Sequence, residues 1–300
     1  MEFSSHLHQY VSDLHNTGRN YTQTVVALAV EQGYALPIAH RIVEAVLHHK
    51  GNDNKLFYDA PGEERILPDI DTTAESVYLD LGDIRAEVVF EQLAPRVVLL
   101  DNFMTPAECD AACQQATTRM RRSEVMSRQS EGSVLEINVR DADSASLKGT
   151  KSKLAARIER RIQTLTSWPE THGEPLLVQR YKPQGKYLPH FDFFDLTQGL
   201  HQKTVAGAGQ RLATLIVYLR EPEAGGATYL ANLGMRIKPR KGSALFFSYP
   251  DPSQQSGTLH AGDPVLAGEK WILTKWLRER SWVSNASQPP SDAVSNVEAV

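Results

Sequence analysis

The stretch "YLPHFDFFD", residues 187–195, sets His190 and Asp192 one residue apart among apolar and aromatic neighbours. On a β-strand, residues i and i+2 share a face, so this spacing predicts that both side chains project together. Beside Tyr187, Phe191, Phe193 and Phe194, such a pair is either two arms of a metal site or a surface pair at a strand end, and the pair alone leaves both open. A non-heme iron(II) site uses two histidines and one carboxylate and keeps adjacent coordination positions free. A third ligand would have to come from far downstream, on a strand folding back beside the first. His260, in "SGTLHAGDPVLAGEKWILTKW", is the one histidine beyond His201. Lys270 follows in a strand pattern flanked by Trp271, Ile272 and Trp276. A lysine there either snorkels to the surface or meets an anion inside.

The elements that must position these residues follow from periodicity. From residue 174 onward, "PLLVQRY", "QRLATLIVYL", "ATYLANL", "MRIKP", "SALFFSY" and "KWILTKWLRE" read as short strands between Gly- and Pro-rich breaks. Many short strands without intervening helices predict an antiparallel sandwich or jelly roll. Upstream, "SVYLDLG", "IRAEVVFEQ" and "RVVLLDNF" are strand-like. "TPAECDAACQQATTRM" opens with a capping box: Thr105 at the N-cap, Pro106 at N1 and Glu108 at N3. A second helix near 148–167 sets Leu154, Ile158, Ile162 and Leu165 on one stripe. The fold class is therefore α+β, a barrel of strands with supporting helices.

The first fifty residues read as a small helical module of three segments, carrying His40, His48 and His49 as solvated helix histidines. Residues 51–95 supply an Asp/Pro/Gly/Glu-rich linker and leading strands, 96–282 the main domain, and 283–300 a polar, disordered tail.

Composition narrows the function classes. Of 300 residues, 41% are hydrophobic and 23% charged, with a net charge of −4, which argues against a polyanion-binding surface; no nucleic-acid partner is expected. No apolar run is long enough to span a bilayer, and the N-terminus has neither the basic nor the apolar region of a secretory signal, so no membrane partner is expected. The two cysteines, Cys109 and Cys113, lie in one helical stretch and read as small helix residues, which points to a reducing cytoplasm. Any metal site must use histidine and carboxylate.

Taken in order, "RYKPQGKYLPHFD", "QRLATLIVYL", "GGATYL", "IKPRKGSALFF" and "LHAGDPVLAGEKWILTKWLRE" resemble the prolyl 4-hydroxylases of the collagen-type, bacterial and plant group, within the iron(II)/2-oxoglutarate dioxygenase superfamily. The resemblance spans roughly residues 96 to 280. It implies a double-stranded β-helix (jelly-roll) core with His190, Asp192 and His260 as iron ligands. It implies that Lys270 pairs with the distal carboxylate of 2-oxoglutarate, helped by the hydroxyls of Tyr181 and Thr228, and that Tyr187, Arg211 and Trp276 contact a proline-containing peptide or protein substrate. Iron(II), 2-oxoglutarate and dioxygen are the implied cofactor and co-substrates, with L-ascorbate as a reductant. The implied reaction hydroxylates peptidyl proline at C4 and releases succinate and carbon dioxide.

Two positions depart from the family pattern: Ala227, where an acidic residue is common, and Leu177, where a glutamine is common. Neither is an implied ligand. The run "DLTQGLHQKTVAGAGQ", with Gly199, Gly207 and Gly209, reads as a flexible lid beside the metal, and His201 on it as solvated. Competing readings are a 2-oxoglutarate hydroxylase of another side chain or a small molecule, a zinc hydrolase using the same ligands, and a non-catalytic scaffold. The sequence leaves the oligomeric state and the target undetermined.

Overall fold

The computed structural model describes residues 5–17, scattered positions from 19 to 46, and 67–282 apart from 74–75, 124, 127–132, 135–139, 148–151, 195, 197–198, 250–251 and 254–255. The expected tail at 283–300, His40, His48 and His49, and 51–66 of the expected linker lie outside the described residues.

Seventeen strands are present among the described residues. Those that build the site begin with β1 (Tyr78–Asp80), β2 (Arg85–Gln92), β3 (Val97–Asp101), β4 (Arg121–Arg122), β5 (Val125–Met126), β6 (Ser133–Val134) and β7 (Asp143–Ser146). They continue with β8 (Leu177–Tyr181), β9 (Tyr187–His190), β10 (Arg211–Arg220), β11 (Ala224–Gly225), β12 (Thr228–Leu230) and β13 (Met235–Ile237). The last are β14 (Ala244–Ser248), β15 (His260–Gly262), β16 (Val265–Ala267) and β17 (Lys270–Arg278). One nine-stranded sheet runs β1-β2-β3-β14-β10-β17-β8-β7-β4, and a four-stranded sheet runs β13-β12-β15-β9. The chain passes from β8 in the large sheet to β9 in the small one, back to β10, over to β12 and β13, back to β14, over to β15 and back to β17. That alternation is the winding of a jelly roll, as expected. The expected boundary at 95/96 falls inside the large sheet, because β2 pairs with β3. Part of the expected linker also packs onto this sheet: Ile70 is buried in the core and Arg96 donates to its carbonyl.

Strand β10 reads as a continuous apolar run because both of its faces are covered. Ala213, Leu215, Val217 and Leu219 belong to the core shared with the helices, whereas Ile216 and Tyr218 belong to the core between the sheets. β17 divides in the same way: Trp271, Leu273 and Leu277 join the helices, and Ile272 joins the inter-sheet core.

Helix α1 (Ser5–Asn16) contributes Val11 to a separate cluster with Leu28, Ile42, Val43 and Val46. Helix α2 (Pro106–Thr117) has the expected box, with the Thr105 hydroxyl accepting from the Glu108 N–H and the Glu108 carboxylate accepting from the Thr105 N–H. Helix α3 (Lys153–Thr166) buries Ile158, Ile162 and Leu165 of its stripe, with Leu154 half-buried against the same core. Its Arg161, also buried, donates to both Asp83 and Glu108 and so ties α3 to the start of α2.

The expectation of strands without intervening helices fails between β9 and β10, where helix α4 (Gly199–Ala208) stands in the stretch expected to be a lid. Its glycines weaken its intrinsic propensity, and tertiary bonds hold it instead. Arg278 donates to the carbonyls of Thr204 and Gly209, and Arg280 to that of Val205. Gly209, at φ +73°, closes the helix by donating to the Val205 carbonyl. His201 is accordingly not solvated. It is 9% exposed and packs edge-on to Phe194.

Candidate metal centre and anion pocket

Strands β9 and β15 pair antiparallel with His190 opposite His260. Asp192 does not share the strand with His190, because β9 ends at His190 and Asp192 lies in the bend that follows. That bend returns the carboxylate to both imidazoles: His190 Nε2 is 3.6 Å from Asp192 Oδ1, and His260 Nε2 is 3.6 Å from Oδ2. One donor atom from each residue lies within 4.8 Å of the others. The Nδ1 atoms face backbone carbonyls, His190 that of Leu188 at 2.8 Å and His260 that of Thr258 at 2.9 Å. A carbonyl only accepts, so each Nδ1 carries a proton and Nε2 is the nitrogen turned toward the centre. Burial first, and then the neighbouring His190, push His260 down to about 4, so its imidazole is neutral near pH 7. Burial would raise the Asp192 carboxyl, but His260, His190 and Arg211 outweigh it and hold the group well below the ordinary carboxylate range. Two imidazole nitrogens and one carboxylate, each histidine fixed by its second nitrogen, are the donor set that iron(II) takes.

The same cavity extends from these residues to Lys270, with Tyr181 and Thr228 in its wall. Lys270 opens β17 opposite Tyr181 of β8 and is 3% exposed. Its Nζ lies 3.5 Å from the Thr228 hydroxyl and under 6 Å from the ring centres of Tyr181 (5.8 Å) and Tyr218 (5.7 Å). Among the described residues no carboxylate reaches ion-pair distance of Lys270. Burial pushes its ammonium down to about 7, with Asp263 pulling the other way. A buried ammonium without a counter-ion, facing a cavity, has room for an anion and a strong electrostatic reason to take one.

Of the expected substrate residues, Tyr187 and Trp276 line this cavity and Arg211 does not. Tyr187 stacks on His190, ring centres 3.5 Å apart, and the Arg140 guanidinium lies over the Tyr187 ring, 5.1 Å from its centre. Trp276 lines the cavity, and its buried Nε1 has no hydrogen-bond partner among the described residues. Arg211 packs over the Trp276 ring at 3.9 Å, donates twice to Glu174 and donates once to the backbone carbonyl of Asp192. It braces the bend that carries Asp192.

Sequence reasoning missed Thr214, Tyr218, Gln179 and Glu174. Thr214 and Tyr218 flank Ile216 on the inward face of β10, and that period of two inside an apolar run was the available signal. Glu174 carries no such signal; only the fold brings it to Arg211 and Arg278.

Residues 176–278 match the model of the 2OG-Fe(II) oxygenase superfamily. The chain is 32% identical over 237 residues to prolyl 4-hydroxylase 1 of Arabidopsis thaliana, covering 72% of this chain and 81% of the plant protein. It is 34% identical over 202 residues to prolyl 4-hydroxylase subunit alpha-1 of Gallus gallus, covering 67% of this chain and only 38% of that subunit. Among solved structures, the 2OG complex of the viral collagen prolyl hydroxylase from Paramecium bursaria chlorella virus-1 is 29% identical, with a TM-score of 0.46, over 61% of this chain and 94% of that one.

Proposed function

The chain belongs to the prolyl 4-hydroxylase family of iron(II)- and 2-oxoglutarate-dependent oxygenases, and from that membership we propose that it hydroxylates peptidyl proline at C4 in an exposed segment of another protein. The observation that carries the reading is a cavity lined both by an iron-type donor set and by a buried lysine with no carboxylate partner among the described residues. In this reading His190, Asp192 and His260 hold the iron. Lys270 neutralises the distal carboxylate of 2-oxoglutarate, with the hydroxyls of Tyr181 and Thr228 beside it. The bound metal would activate dioxygen, the oxidant: one oxygen atom goes to 2-oxoglutarate as it loses carbon dioxide and becomes succinate, and the other enters a C–H bond of the substrate.

The chain's own residues orient the reactants and exclude water. Tyr187 and Trp276, which line the cavity, receive the peptide, and Arg211 supports them, packed over the Trp276 ring and fixing the bend at Asp192. The catalytic unit takes in the whole large sheet, including β1 and β2, and the module formed around α1 serves in partner docking. The free, buried Cys109 and Cys113 suit a reducing compartment, which we take to be the cytoplasm, with ascorbate or another reductant keeping the iron ferrous.

The test is succinate release from 2-oxoglutarate under air with added iron(II), with and without proline-rich peptides, and Asp192→Ala as control. Peptide-stimulated succinate with a matching gain of one oxygen atom on proline is the expected result. Succinate without peptide modification would move the search to another acceptor, and no succinate from folded, iron-loaded protein would overturn the reading.

A further inference from the structure

The Asp192 carboxylate is held by a hydroxyl chain from Thr214 on β10 and Tyr249, the residue that follows β14. Thr214, midway along β10 and fully buried, donates from Oγ1 to Asp192 Oδ2 at 2.7 Å. The hydroxyl of Tyr249, just beyond β14 and also fully buried, lies 3.0 Å from the same Oγ1. Hydrogen-bond direction fixes the order. A carboxylate only accepts, so the single Thr214 proton goes to Asp192, and Tyr249 must donate to Thr214. The phenol suits that role, because burial and the neighbouring Asp192 charge keep it protonated, with its acidity pushed well above the ordinary tyrosine value.

The chain has a mechanical consequence. Asp192 lies in a bend beyond the end of β9, so strand pairing does not set its orientation. Its backbone carbonyl is fixed by Arg211, and its carboxylate by Thr214. The two anchors come from one strand, β10, which is covered on both faces. We propose that Tyr249 and Thr214 are positioning residues that hold the Asp192 carboxylate for metal binding, engaging Oδ2 so that the carboxylate cannot turn freely between the two histidines. This inference rests on the metal-binding reading above. Neither residue touches the pocket's anion end, so their effect is expected on metal affinity rather than on 2-oxoglutarate.

The test measures binding of cobalt(II), a spectroscopic stand-in for iron(II), by its visible absorption during titration, with the melting temperature of the metal-free protein read in parallel. Thr214→Val keeps the shape and removes the donor; it is expected to weaken metal binding roughly 10–100-fold, the range for loss of a group that orients a ligand. Thr214→Ser restores the hydroxyl and the affinity. Tyr249→Phe keeps the Thr214 bond but removes the group that directs it, and is expected to weaken binding less, in the same direction. If Thr214→Val fails to fold, Tyr249→Phe and Thr214→Ser carry the comparison. Wild-type affinity in a folded Thr214→Val protein, or in Tyr249→Phe should only that variant fold, overturns the inference and leaves the metal site standing. Absence of cobalt binding by the wild-type protein overturns the metal site itself, and this inference with it.

Discussion

Lys270 is the residue at which electrostatics makes the sharpest demand. Burial lowers its folded-state value to about 7, well under the ordinary lysine value, so near neutrality it is only partly charged until an anion arrives. A dicarboxylate bound against Nζ favours the charged form and raises that value. Below about pH 7 the lysine is charged with or without ligand, and affinity is insensitive to its titration. Above about pH 7 binding must take up a proton, so 2-oxoglutarate affinity is expected to fall by up to about tenfold per pH unit. Lys270→Arg keeps its charge throughout and is expected to lose this slope, and Lys270→Ala to lose 2-oxoglutarate binding by orders of magnitude while still taking up metal. Calorimetry across pH 6.5–9 checks all three, and a flat profile for the wild type would exclude the coupling. The grouping of His190, Asp192, His260 and Lys270 was legible only through the ordered set of family-like motifs, because the His190–Asp192 pair and Lys270 each left a surface reading open when taken alone. Thr214 and Tyr249 were not, because hydroxyls are common and these act across 22 and 35 residues of chain.

Among the elements, helix α2 was legible in full, since its capping box is a local code written in four consecutive residues. Helix α4 was not, because its stability comes from arginines on and just after β17, far along the chain. The join between α2 and α3 was likewise hidden, although it depends on the same Glu108 that completes the box. Burial works to raise the Glu108 carboxyl, but Arg161, the Thr105 backbone bond and Arg157 outweigh it and bring it down to about 2. A folded-state value below the unfolded one means stability that is present above about pH 4.5 and lost as pH falls from there toward 2. Glu108→Gln keeps the shape and removes the charge. It is expected to cost about 1.5–3 kcal/mol near pH 7 and to converge on the wild type as pH falls through that window. Urea unfolding at several pH values measures the gap, and a gap independent of pH would assign Glu108 a capping role only.

At the scale of the whole molecule, the two sheets are unequally secured. The strands of the large sheet that carry the site are covered on both faces, and β10 and β17 run for ten and nine residues. The small sheet has strands of three or four residues, namely β13, β12, β15 and β9. The succession of short strands between Gly- and Pro-rich breaks predicted the sandwich from the sequence, but not this inequality, which depends on strand pairing. Two of the three metal-type ligands stand on the paired strands β9 and β15, and the third stands in the bend following β9. A metal bound there joins the small sheet to β10 through Asp192 and Thr214. Local opening of a weakly protected unit proceeds with a smaller free energy than global unfolding. A ligand that binds only the closed form adds stability by mass action, about 2.7 kcal/mol at a hundred times its dissociation constant. Adding a redox-inert divalent ion is therefore expected to slow amide hydrogen exchange most in β9, β12 and β15, with smaller changes in β10 and β14. An equal gain in both sheets would mean that they open as one unit, and that the metal secures the fold as a whole rather than the edge of the barrel that holds it.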